Sequence, residues 1–292
     1  MTDSATDRWK GQGAVFCCAV LWSTSGLFIK LVSWHPVVIA GSRSFIAALF
    51  MLAVRIFIVP KGRARSKPGP FWAAGAAYAF TMLSFVVANK LTASANAILL
   101  QYSAPVWAAL LGWVLIREKP HWEHWGALVF VIAGLVLFFK EGLVSGSLLG
   151  DCVAVSSGIL FAAHSVFLRM QKDGNPMDAM LLAHVITFII SIPFFFLYPP
   201  EYTVSSVLPV VFMGTIQIGC ASILFSYGIR RISAIQAMLT AMIEPVLNPV
   251  WVLAITGEKP SVSALAGGLI IIVAVAVSSV IGKRREALQN CP

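Results

Sequence analysis

Ten apolar stretches of similar length follow one another along this chain, separated by short turns. They run roughly from Gly13 to Ser33, Val37 to Val59, Phe71 to Asn89, Ser94 to Ile116, Trp122 to Phe139, Leu148 to Arg169, Ala179 to Leu197, Val207 to Gly228, Ser233 to Ile255 and Val262 to Ile281. Each is close to the ~20 residues that carry a helix through ~30 Å of hydrocarbon. Backbone polar groups in hydrocarbon must be satisfied within their own segment, so these stretches should be helices. Of 292 residues, 59% are hydrophobic and 11% charged, too few polar groups to coat a soluble globule of this size. The expected fold is therefore an all-α integral membrane protein with ten transmembrane helices, its function carried inside the bilayer. The first segment is too long for a signal-peptide core and another follows at once, so it is expected to be retained. Five cysteines form no CxxC pair, and four of them lie in apolar segments, which predicts no disulfide framework.

Positive charge sets the orientation. With the N-terminus inside, the inner loops collect Arg8, Lys10, Lys61, Arg63, Arg65, Lys67, Arg117, Lys119, Arg169, Lys172, Arg230, Arg231, Lys283, Arg284 and Arg285. The outer loops hold only Lys30, Lys90, Lys140 and Lys259. This asymmetry predicts that both termini are cytoplasmic. It also accounts for the net charge of +9 through loops lying against anionic lipid. No basic stretch is interleaved with aromatics on a soluble element, so nucleic acid is not an expected partner.

The chain repeats itself. A shift of 140 residues lays Pro105 on Pro245, Glu118-Lys119-Pro120 on Glu258-Lys259-Pro260, Phe85 on Phe225, Lys90 on Arg230 and Pro36 on Pro176. A shift of 139 lays LWSTSGLFIK, ending at Lys30, on LFAAHSVFLR, ending at Arg169. Residues 1–140 and 141–292 thus form two five-helix repeats. Five is odd, so the second repeat should insert upside down relative to the first. The loops agree in sign: KGRARSK between segments two and three corresponds to PPEYTVS between seven and eight, which has no Lys or Arg. Inverted repeats are an architecture of transporters that expose a midplane site to each side in turn.

Segment nine carries the most chemistry. Gln236, Thr240, Glu244 and Asn248 recur every four residues, one helical face. A carboxylate at mid-membrane is costly unless it meets a partner, a proton or water, so this face should line the bundle interior. Pro245 and Pro249 each delete a backbone hydrogen bond, and Pro105 does the same in segment four, making these three the expected hinges.

LWSTSGLFIK, GSRSFIAALF, APVWAALLGWVLIREKP and its echo EPVLNPVWVLAITGEKP resemble the paired repeats of the drug/metabolite transporter superfamily, EamA type, over essentially the whole chain. The resemblance implies ten helices, both ends inside, and export of small metabolites from a bacterial cytoplasm across its inner membrane. Among members, the chain is most similar to exporters of amino acids, including aromatic ones. One departure is that Ala104 stands at the position matching Glu244, so the halves cannot contribute equally to a site.

Candidate cavity residues come from every part of the chain. Trp22 and Ser25 lie near the middle of segment one, where small and hydroxyl residues also favour close helix packing. Arg43 and Glu244 fall at similar depth, ~10 Å below the outer surface and ~16 Å above the inner one at 1.5 Å per residue. They either pair directly or stand near the two ends of a zwitterionic substrate. Tyr78, Met82, Phe85 and Asn89 share a face that suits an apolar or aromatic group, or simply packing. Segment four adds Asn96, Gln101, Tyr102 and Trp107; of Tyr102 and Trp107, at most one should point inward. Ser157 with His164, then His184, and Gln217 complete the polar set. Glu244, His164 and His184 are the candidates for proton coupling. The His121–Trp125 cluster has the wrong spacing for HExxH and is better explained as an interfacial aromatic belt.

No GxSxG, HExxH or Walker glycine loop occurs, so neither an intramembrane enzyme nor nucleotide hydrolysis is expected, and no cofactor or metal is called for. Ten helices provide one path per chain, which fits a monomer, whereas channels are usually built from rings of subunits. Other cargo remains open: quaternary cations, which Glu244 and tryptophans would accommodate, or nucleosides.

Overall fold

The computed structural model describes residues 4–58, 66–92, 94–140, 143, 147–256 and 261–289. Within them the chain is helical throughout: α1 (Ser4–Ser23), α2 (Ser25–Lys30), α3 (Pro36–Phe57), α4 (Pro68–Leu91), α5 (Ser94–Gln101), α6 (Ala104–Ile116), α7 (Trp122–Phe139), α8 (Leu148–Arg169), α9 (Pro176–Leu197), α10 (Val204–Phe212), a π-helical segment (Met213–Cys220), α11 (Ala221–Ile229), α12 (Ala234–Ala241), α13 (Ile243–Thr256) and α14 (Val262–Gln289). Among the described residues, nine helical stretches are long and apolar enough to cross a membrane, and Ala234–Leu247 is a shorter apolar helix. The match of 258–260 to 118–120, the loop charges within 59–65 and the expected start of the second repeat at residue 141 lie outside the described residues.

Several boundaries differ from expectation. The first helix begins at Ser4, nine residues before the expected Gly13, because Asp7 and Arg8 find polar partners beyond the apolar slab: Asp7 pairs with Arg231 at 3.1 Å and Arg8 Nε donates to Gln236 Oε1 at 3.2 Å. At its other end α14 runs on past Ile281 to Gln289. The start of α1 and the end of α14 meet, since a Cβ on Gly282 would stand 3.1 Å from Arg8 Nη2. We call this the proximal end of the bundle and the opposite one the distal end.

Among the described residues four spans are interrupted, the first of them at Thr24, between α1 and α2. Ahead of Pro105 the fourth span breaks at Tyr102–Ser103, between α5 and α6, with Pro105 in the first turn of the new helix, where its missing N–H has no partner to lose. The ninth breaks at Met242, between α12 and α13, and Pro245 likewise follows in the first turn. The π-helical turn in the eighth span has no proline, and sequence gives no warning of it.

Packing is held by small residues and by aromatic rings. A Cβ on Gly134 would fall 2.9 Å from the Gly267 carbonyl oxygen, so α7 and α14 touch backbone to backbone. On α8, a Cβ on Gly158 would fall 2.8 Å from the Gln101 carbonyl, which lets α8 close on the break in the fourth span. The principal buried cluster gathers Trp22, Tyr78, Phe161, Phe225, Met180 and their neighbours from nine elements.

The two ends of the bundle differ. All eight residues of α12, in the proximal half of the ninth span, are buried. In α13, the distal half, Glu244, Val246, Leu247 and Trp251 are half-buried, and Val250 and Leu253 are exposed. Among the described residues, ion pairs stand at the proximal end, including Arg55–Asp178 at 2.9 Å and Arg169–Glu118 at 2.7 Å. Cys17, Cys18, Cys152 and Cys220 are free thiols.

Candidate functional site

The interior face is assembled from the broken spans and the helices packed on them. Trp22, near the end of α1, lies between Phe161 of α8 and Phe225 of α11, with ring centroids 5.9 and 5.4 Å away. Tyr78 of α4 continues the wall, 6.3 Å from Phe161 and stacked on His164 at 4.5 Å. Rings at these spacings are in the favourable offset range, and together they make a firm aromatic surface.

Polar groups border this wall. Arg43 of α3 and Met82 of α4 are half-buried at mid-span, and Arg43 Nη2 approaches Met82 Sδ at 3.6 Å. Glu244 is half-buried just beyond the break in the ninth span, beside Tyr102 at the break in the fourth. Arg43, Tyr78 and Cys18 all lie within electrostatic range of Glu244. Among the described residues, however, no ion pair joins Arg43 to Glu244. Of the two expected arrangements, the direct pair is not formed: the guanidinium turns toward the Met82 thioether.

His164 and His184 are both fully enclosed. His164 Nδ1 is 2.8 Å from the Ala74 carbonyl, its ring is stacked against Tyr78 and Phe225, and its Nε2 meets no partner among the described residues. His184 Nε2 is 3.0 Å from Ser222 Oγ and meets Tyr78 edge-on at 5.9 Å. Gln217, in the π-helical turn, donates to the Trp22 carbonyl at 3.4 Å while its Oε1 is buried with no partner among the described residues.

Other expected site residues are engaged elsewhere. Gln101 donates to Ser157 Oγ at 2.8 Å, bracing the break against α8. Thr240 bonds back to the Gln236 carbonyl at 2.8 Å, and Gln236 is held by Arg8, so the row along segment nine is divided by the break at Met242 rather than continuous. Asn96 is buried early in α5, and Ser25 opens α2, half-buried. Trp107 donates to Ser103 Oγ at 3.1 Å, leaving Tyr102 as the aromatic beside Glu244. The side chains of Asn89, Asn248 and Pro249 lie outside the described residues. At the start of α7, Trp122 and Trp125 are exposed while Glu123 and His124 are buried.

Phe161, Phe225 and Cys18 join the site without having been singled out as candidates. Phe161 sits three residues before His164 and so on its face, and Phe225 matches Phe85 in the repeat; both signals were present. Trp251, which donates to Ser23 Oγ at 2.8 Å and ties α13 to α1, gave no such signal.

Comparison with known proteins follows the same outline. A model of the EamA-like transporter family matches residues 9–140 and again residues 148–280. Over 283 residues the chain is 22% identical to the uncharacterized transporter YwfM of Bacillus subtilis (strain 168), covering 94% of this chain and 95% of that one. It is 26% identical to an uncharacterized transporter of Archaeoglobus fulgidus, covering 92% and 96%. Mouse solute carrier family 35 member G1 is 27% identical over 56% of this chain and 48% of its own length. A solved crystal structure superposes with a TM-score of 0.80 at 21% identity, covering 94% of this chain and 98% of the other, and shows the shared fold.

Proposed function

The chain belongs to the EamA-like transporter family, and from that premise we propose that it is a secondary transporter exporting amino acids, aromatic or otherwise apolar, across a bacterial inner membrane. The observation that carries this reading is the separation of Arg43 from Glu244. Two opposite charges address one mid-bundle region without neutralising each other in contact. A zwitterion entering between them presents its carboxylate to the guanidinium and its ammonium to the carboxylate, each a charge-assisted hydrogen bond. The side chain of such a cargo then meets Met82, Tyr78, Phe161 and Trp22, a thioether and three rings that accept apolar groups of varied shape.

The cycle follows from the breaks. The two five-helix halves, residues 1–140 and 141–292, insert oppositely and carry the site at their junction. Half-helices hinged at Pro105, Pro245 and Pro249 move against the rest to open one end and then the other. Glu244, beside Tyr102, meets the substrate ammonium or takes up a proton, and a single chain suffices. His164 and His184 pack against Tyr78 and act by supporting it.

Reconstitution tests the proposal. Liposomes containing the purified protein are assayed for uptake of radiolabelled aromatic amino acids, a quaternary ammonium compound and a nucleoside, with and without an imposed pH difference. Saturable uptake of the amino acids, competed by one another, is the expected result. Uptake of the cation or the nucleoside alone would replace the cargo, and indifference to pH would remove Glu244 from any coupling role.

A further inference from the structure

The proximal halves of the fourth and ninth spans, α6 and α12, end at a single ion pair. Arg117 caps α6 in the left-handed region, with φ 56°, and the Glu118 N–H returns to the Gly112 carbonyl at 3.0 Å. A non-glycine residue adopts this conformation only at some cost, so the turn is specified. It directs Glu118 sideways, where Oε1 accepts from Arg169 Nε at 2.7 Å and Oε2 accepts from the Ala234 N–H, the first of α12, at 3.4 Å. Arg169, the last residue of α8, also donates through Nη1 to the carbonyls of Ile229 and Arg230 at the end of α11, at 2.9 and 2.7 Å. Arg230 in turn donates through Nε to the Lys172 carbonyl at 2.8 Å. One carboxylate and one guanidinium therefore fasten four spans, one from the first half of the chain and three from the second.

The pair is half-sheltered, its side chains 14% (Arg169) and 27% (Glu118) exposed, so water screens it less than a surface pair. It satisfies carbonyls at the end of α11 and an N–H at the start of α12 that helix geometry leaves without partners. Its location is the informative feature. Both α6 and α12 are hinged at their far ends by the breaks at Tyr102–Ser103 and Met242, and both are buried against each other there. Glu118–Arg169 stands across the seam between them.

We infer that Glu118 and Arg169 form the latch that keeps the proximal end of the permeation path closed, and that they separate whenever that end opens. The inference rests on the transporter reading above, but its test needs no knowledge of the cargo. A cysteine placed at Ala237, fully buried on α12, in full-length protein whose five native cysteines have been replaced, is labelled with a membrane-impermeant maleimide in lipid nanodiscs. With the latch intact labelling is slow. Glu118→Ala and Arg169→Ala should each speed it about tenfold, as expected for shifting a closed-to-open equilibrium by one charge-assisted pair. The double variant should be no faster than either single one, because the two residues act as one unit. Unchanged rates in the singles, or additive effects in the double, would overturn the latch. Should the alanine variants fail to fold, Glu118→Cys with Arg169→Cys joined by a short reducible cross-linker serves instead. The cross-link should hold Ala237→Cys unlabelled under conditions where the reduced protein labels, and equal labelling in both states would again overturn the latch. A protein that transports no amino acid but shows the latch would fail only the cargo proposal.

Discussion

Arg43 and Glu244, one from each half of the chain, act on the same interior region while the guanidinium itself lies 3.6 Å from the Met82 sulfur. An arginine that had only to neutralise a neighbouring carboxylate would close onto it, as Arg55 does onto Asp178 at 2.9 Å. The open arrangement leaves both charges with unused hydrogen-bonding capacity.

Arg43→Lys keeps the charge and discards the planar fork. Uptake of a zwitterion should fall about tenfold or more, while uptake of a cation without a carboxylate is little changed. Glu244→Gln should impair both. Competitive uptake in liposomes distinguishes these outcomes. Loss of every cargo in Arg43→Lys together with reduced protein yield would instead make Arg43 a structural residue.

Tyr78 is sandwiched among Phe161, His164 and His184. Tyr78→Ala should lower stability by about 3 kcal/mol through the cavity it opens, whereas Tyr78→Phe keeps the ring and should stay within about 1 kcal/mol. Thermal unfolding in detergent measures both, and equal losses would show that the phenol oxygen matters more than the ring.

On α7, two glycines should behave oppositely. A methyl group at Gly134 would collide with the Gly267 carbonyl and Ile271, whereas one at Gly126 meets nothing within 4 Å. Gly134→Ala should cost about 1–3 kcal/mol. Gly126→Ala should be neutral or slightly stabilising, since alanine is the better helix former. The same unfolding assay reports the difference.

Ser157→Ala removes the acceptor that holds Gln101 beside the break. Interhelical hydrogen bonds inside membranes average about 0.6 kcal/mol, so the loss of stability should be under about 2 kcal/mol. A larger loss would mean that the Gln101 contact sets the break itself.

The helices were legible from sequence because hydrocarbon leaves the backbone no alternative. The breaks near Pro105 and Pro245 were legible because proline has no N–H to give. The interior wall was much less so. Phe161 and Phe225 sit on helices that are apolar all round, and where lipid and core are equally apolar, periodicity does not tell an inward ring from an outward one. The early start at Ser4 was hidden for a different reason. Asp7 and Arg8 are partnered by Arg231 and Gln236, from a segment more than two hundred residues away, and no local pattern records that.

The π-helical turn from Met213 to Cys220 makes this chain's length forgiving at one place. A wide turn holds a surplus residue, so deleting one position there would let the coil tighten to α geometry while the residues on either side stay near their present faces. A residue lost from the regular turns of α11, such as Ile223, would instead rotate everything after it by about 100°. Phe225 would leave Trp22, and a fully helical, well-inserted protein would have lost its aromatic wall to a single missing codon.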